Sequence, residues 1–236
     1  GCHVLLVDLI YYKPSLEGKV LNQGDVVQWK GLDQDMYKYK ETHGHFPLWN
    51  NNLFGGMPAY QIALETNNPV SPIYVHSLLM VLKKPIGYFF LLCIAFYFLT
   101  QVIGIRPWLG VLGGIAYAYT TYSPVIVAVG HDTKMQAMGY MPALLAGLWL
   151  IYQKKYWWGA ALTALFSALL IAMNHLQVTY YSLLVAGFMT VGFAIHWIKL
   201  KEYKQLATAL GIAIIAGAIG ATANLVTLAT TNDYAK

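Results

Sequence analysis

Three short polar groupings carry the side chains best suited to chemistry: Asp25 after Gly24, His131-Asp132-x-Lys134, and Asn174-His175-x-Gln177. A carboxylate can accept a proton from an attacking hydroxyl or hold a divalent ion. A lysine can meet a phosphate as a point charge, while His175 and Gln177 can orient a sugar or phosphate by hydrogen bonding. Each grouping also has a plain structural reading. Asp25 before a helix is an N-cap, the His131 loop is a polar spacer between two spans, and His175 at a span end is an interfacial hydrogen-bonder. What argues for more is that all three fall between apolar runs and surface, by alternation, at one face of a membrane.

The runs themselves are plain. Of the 236 residues 58% are hydrophobic and 11% charged, and mean hydropathy is +0.50, the composition of an integral membrane protein. Stretches 86–104, 107–129, 137–152, 158–174, 179–198 and 206–230 approach or exceed the length a spanning helix needs. The shortest, 137–152, is the weakest. Residues 1–12 are apolar but short, and are expected to be the outer part of a truncated first transmembrane helix, in a chain that is the amino-terminal portion of a longer one. The expected fold is therefore all-α: a polytopic membrane helix bundle of about seven spans, with an extracytoplasmic loop at 13–84 and a six-span bundle at 85–236.

Orientation follows from the basic residues of the short loops. Arg106, then Lys154 and Lys155, then Lys199, Lys201 and Lys204 occupy alternate loops, which predicts that those loops are cytoplasmic. Lys83 and Lys84 run against the pattern but belong to a long loop, where the rule is weak. Residues 13–84, the His131 loop and the His175 loop then lie outside, in a bacterial cytoplasmic membrane with the long loop on the periplasmic side. Glu17, Asp25, Asp33, Asp35, Glu41, Glu65, Asp132 and Asp233 share that side, eight of the ten acidic residues, as a cation or phosphate-bearing substrate there would require. The net charge of +5 does not point to nucleic acid, because Arg106 is the sole arginine and the lysines are dispersed. Attraction to anionic membrane lipids accounts for it.

Within the loop, residues 26–42 have helical apolar spacing and predict one amphipathic helix on the membrane surface, with Asp25 as its cap. Asp33-Gln34-Asp35 resembles a metal-binding D-x-D, but on a helix the two carboxylates point roughly 200° apart, so a solvated face is expected. Phe46 to Pro58, with two prolines, a Gly pair and three asparagines, predicts a packed irregular loop. It would form either a rim over a substrate cleft or a folded plug. Residues 72–82 predict a second interfacial helix. Gly110, Gly113, Gly114, Gly211, Gly217 and Gly220 predict close helix contacts.

Taken together, Gly24-Asp25, Pro47-Leu48-Trp49-Asn50 followed by Phe54-Gly55-Gly56-Met57-Pro58, Gly130-His131-Asp132, and Asn174-His175-x-Gln177 with Tyr180-Tyr181 resemble the YfhO-like bacterial membrane proteins, which belong to the GT-C class of glycosyltransferases. The likeness covers essentially the whole chain. It implies a polyprenyl-phosphate-linked sugar as donor, an envelope glycan or protein as acceptor, and a catalytic carboxylate in the first outer loop, where Asp25 stands. It further implies that Asp132 is a second catalytic acid sharing a divalent cation, Mg or Mn, with Asp25. His131, Lys134, His175, Gln177, Trp49 and Asn50 are the expected substrate-binding residues. Two rivals stand beside this reading: a non-catalytic scaffold or subunit of a larger envelope complex with protein partners, and a transporter. The transporter ranks last because the polar groups gather at one face rather than at mid-membrane.

Overall fold

The structure, a computed structural model, describes residues 2–52, 55–59, 73–80 and 82–234. The chain runs through α1 (Cys2–Tyr11), α2 (Lys13–Leu16), α3 (Gly24–Leu32), α4 (Gln34–His43), β1 (Trp49–Asn50), β2 (Met57–Pro58) and α5 (Ile73–Leu79). Then come α6 (Ile86–Ile103), α7 (Pro107–Ala118), α8 (Tyr122–Val129), α9 (Asp132–Tyr152), α10 (Tyr156–Ala172), α11 (Leu176–Lys199), α12 (Tyr203–Thr222) and α13 (Leu225–Tyr234). The all-α expectation holds apart from one antiparallel pair, in which Trp49 faces Pro58 and Asn50 faces Met57.

Among the described residues α6, α11 and α12 are each long and apolar enough to cross a membrane, and α7 with α8 makes a fourth span if the bent pair is counted as one. The expected single span at 107–129 is broken by 44°. Its cause is local: Pro124, in the first turn of α8, has no N–H to continue the ladder across Thr120 and Thr121, and the Ser123 amide instead bonds the Thr120 carbonyl. The run 206–230 breaks as well, at Ala223 and Asn224. There the buried Asn224 donates to the carbonyls of Ala168 (2.9 Å) and Gly220 (3.2 Å), fastening the end of α12 to α10.

The stretch that read as the weakest span is the axis of the bundle. α9 is 21 residues long and most of it is buried, from Met135 to Tyr152, against α6 on one side and α10 on the other. Its hydropathy is diluted by small residues because protein rather than lipid surrounds it. A Cβ at Gly147 would stand 2.7 Å from the Thr163 nitrogen, and one at Gly159 would stand 2.6 Å from the Ile151 nitrogen. The α9–α10 crossing therefore admits nothing larger than glycine. Of the glycines marked in the sequence, Gly110, Gly113, Gly114 and Gly220 do face a neighbouring helix, whereas Gly211 and Gly217 face open space.

Three further expectations in the outer loop are corrected. Residues 26–42 form two helices, α3 and α4, broken at Asp33. Asp25 lies inside the first turn of α3, and Gln23 precedes the helix without a side-chain cap bond. Asp33 is not part of a solvated face, being 1% exposed, although Asp35 is exposed and pairs with Lys38 at 3.8 Å. The helix expected at 72–82 is present as α5 over Ile73–Leu79; Pro72 and Val81 lie outside the described residues.

Asp8 in α1 is fully buried. Its carboxylate accepts the Tyr119 hydroxyl, so α1 is held against the α7–α8 break as well as against α6.

The crossing makes a direct prediction. Gly159→Ala should lower stability in detergent by about 1–3 kcal/mol through overpacking, seen as a fall in the thermal midpoint. Gly187→Ala, where a Cβ would meet nothing within 4 Å, should leave that midpoint unchanged or slightly raised.

Candidate functional site at the corner of α3, α8 and α9

The end of the bundle that carries the 130–132 and 174–175 turns also carries the first turn of α3. Gly130, at φ +114°, ends α8 in a conformation that a side chain would resist. The absence of a Cβ also matters, because one would lie 3.1 Å from Val26 Cγ2 and 3.3 Å from Gln23 Cβ. The start of α3 therefore docks on the α8–α9 corner. Immediately after the turn, Asp132 opens α9, where a carboxylate complements the helix dipole.

Gln23 is the pin of this dock. It is 3% exposed, and its amide nitrogen donates to the Val127 carbonyl at 2.6 Å and to Asp132 Oδ1 at 3.1 Å. Lys84 Nζ reaches Asp132 Oδ2 at 2.7 Å and Gln23 Oε1 at 3.4 Å. Tyr88, in the first turn of α6, brings its hydroxyl beside Asp132 and Gln136. Asp132 is thus engaged at both oxygens and 19% exposed. Hydrogen bonds to charged groups are worth roughly 1.5–3 kcal/mol each, enough to seat a short helix.

With α3 so placed, Asp25 Oδ2 stands 3.4 Å from His131 Nε2, and the two side chains are 50% and 49% exposed. This is an accessible carboxylate–imidazole pair, the arrangement in which a carboxylate orients an imidazole or takes a proton itself. Lys134, one turn into α9, lies with Nζ 5.0 Å from the Tyr122 ring centroid.

Asn174, at φ +51°, reverses the chain after α10, a left-handed turn that Asn tolerates better than most residues. His175 follows at the start of α11. Burial lowers its pKa below the ordinary 6.5, and the charges of Lys134 and His131 lower it further. Its Nδ1 is buried without a partner. His175 therefore belongs to the same electrostatic neighbourhood as His131 and Lys134.

Not every expected residue comes here. Gln177 is exposed and donates to Tyr181 on its own helix at 3.1 Å. Asn50, 2% exposed, donates to Asp33 at 3.3 Å and accepts the Asn52 amide at 2.9 Å. Trp49 lies over Gly56, where a Cβ would be 2.6 Å from the indole nitrogen. The Trp49–Asn50 hairpin is thus tied to the far end of α3, roughly 12 Å along the axis from Asp25 at 1.5 Å per residue. These residues brace the loop there. Leu53 and Phe54 of the same string lie outside the described residues.

The two carboxylates expected to share a cation have different partners within the chain. Asp132 is bonded to Lys84 and Gln23, and Asp25 faces His131. Among the described residues no three His, Cys, Asp or Glu side chains gather as a metal would require.

Gln23, Lys84 and Tyr88 were not anticipated from sequence. Lys84 had a signal, since a lysine breaking the charge rule on the acidic side invites a search for its carboxylate. Gln23 had none beyond its place before Gly24-Asp25.

Comparison with models of protein families, with curated proteins and with solved structures returns no match for the chain. The resemblance to YfhO-like proteins therefore rests on the motifs alone.

Two half-buried histidines set a pH response. His76 of α5 is also pushed below 6.5 by burial, and its Nδ1 shares a 2.6 Å hydrogen bond with the Tyr140 hydroxyl. For both, the unfolded chain binds the proton more readily than the folded one. Stability should then be intact above pH 6.5 and fall as pH drops below it. Thermal midpoints between pH 7.5 and 5 should show that fall, partly flattened in His175→Asn and further in His175→Asn/His76→Gln.

Proposed function

We propose that this chain is the membrane module of a GT-C-type glycosyltransferase, with about seven spans and its 13–84 loop outside the cytoplasmic membrane of a bacterium. The donor is a sugar on a polyprenyl phosphate and the acceptor an envelope glycan or protein. The observation that carries the reading is the half-exposed Asp25–His131 pair at 3.4 Å, seated on the end of the bundle where Lys134 and His175 also converge.

In the proposed step the acceptor hydroxyl approaches the pair and gives its proton to the carboxylate or to the imidazole that the carboxylate orients. The acceptor oxygen bonds to the anomeric carbon, the bond from that carbon to the phosphate oxygen breaks, and the polyprenyl phosphate leaves with the electron pair. Lys134 is the cation placed to meet that developing charge. Asp132 acts as a positioning residue: it holds Gln23, and Gln23 holds α3. The step as written needs no divalent cation, and Asp132 is paired with Lys84 at 2.7 Å.

One observation favours a second reading, the non-catalytic scaffold. Asp132 and Asn50 are saturated by partners within the chain, as bracing residues would be. Asp25 discriminates the two. Asp25→Asn should lower transfer of sugar from a polyprenyl-phosphate donor in membranes by roughly 100-fold or more, with the thermal midpoint retained. Asp132→Asn should lower activity and midpoint together. Full activity in Asp25→Asn would remove the catalytic reading and leave the scaffold.

A further inference from the structure

Beside the corner just described lies a cavity of about 280 Å³ that the transfer reading does not use. It opens between the 15–23 segment and the start of α6. Lys19, Lys83 and Lys84 line it together with Val20, Tyr88 and Val127. Lys84 is turned toward Asp132, and Lys19 is 4.0 Å from Glu17, which also faces Lys13 at 3.9 Å. Of the three lysines lining the cavity, Lys84 is paired and Lys19 shares Glu17 with Lys13, which leaves Lys83 as the lining ammonium without a carboxylate among the described residues. An ammonium lining a concave site without a carboxylate beside it favours entry of an anion.

The walls say which anion. Val20, on the rim beside Lys19, is 87% exposed, which suits a position against acyl chains or glycerol rather than water. The cavity sits at the first turn of α6, a helix apolar enough to cross a membrane, and so at the level where phosphate headgroups lie. We infer that this cavity binds the phosphate of an anionic lipid, with Lys83 and Lys19 holding the phosphate oxygens and Val20, Tyr88 and Val127 receiving the apolar part next to it. The inference does not depend on the transfer reading, since a scaffold would bind the same lipid.

The test uses the intact protein in detergent micelles and three probes: dioctanoyl phosphatidic acid, dioctanoylglycerol, and inorganic phosphate, with binding read by native mass spectrometry. Phosphatidic acid should bind, and Lys19→Gln/Lys83→Gln should weaken it roughly tenfold or more, the worth of a lost charge-assisted contact. Lys19→Arg/Lys83→Arg should restore binding. Independently of any variant, phosphatidic acid should slow acetylation of Lys83 in the wild-type protein, and dioctanoylglycerol should not. Dioctanoylglycerol binding as tightly as phosphatidic acid, inorganic phosphate binding as tightly as phosphatidic acid, or unchanged acetylation of Lys83 would each overturn the inference.

Discussion

A buried amide, that of Gln23, holds the start of α3 to the bundle. Gln23 cannot leave its nitrogen unpaired at 3% exposure without a cost of about 1–3 kcal/mol. Among the described residues it donates to the last turn of α8 and to the first residue of α9. Satisfying both sets where α3 begins and which way it runs. Lys84 then closes the arrangement by neutralising the carboxylate that Gln23 uses. The position of Asp25 relative to His131 is a consequence of these bonds, because Asp25 is two residues further along a helix that has nowhere else to start.

The long apolar elements were legible in the sequence because α6, α11 and α12 keep uninterrupted hydropathy over at least 18 residues. Legibility fell in the central helix. The burial of α9 by its neighbours made its small residues useful and its hydropathy modest, so the central helix read as the least certain one. The breaks at Thr120–Thr121 and at Asn224 were missed for a related reason. Each lies within an apolar run, and their signals, a proline shortly after two threonines and a lone amide, are local.

The polar groupings were legible as groupings, but their division of labour was not. Asp25 and Asp132 looked equivalent, both being carboxylates on the same side. Coordinates separate them, since one is half exposed beside an imidazole and the other is locked between an ammonium and an amide. Trp49 and Asn50 read as part of either a cleft rim or a folded plug, and in the structure they brace the far end of α3, with Asn50 serving the buried Asp33. Burial also pushes the Asp33 carboxyl above its usual range, so the hairpin's amide is what makes a carboxyl tolerable there. Spacing along the chain could not distinguish these roles because every partner is distant in sequence.

The central claim is that Gln23 and Asp132 are coupled, and a double-mutant cycle on folding stability reads this coupling directly. Gln23→Ala, Asp132→Ala and the double variant, unfolded in the same membrane mimetic, should show non-additivity of roughly 0.5–3 kcal/mol, with the double variant less destabilised than the sum of the two. Strict additivity would contradict the account, because it would mean that the outer loop is seated by contacts other than this one.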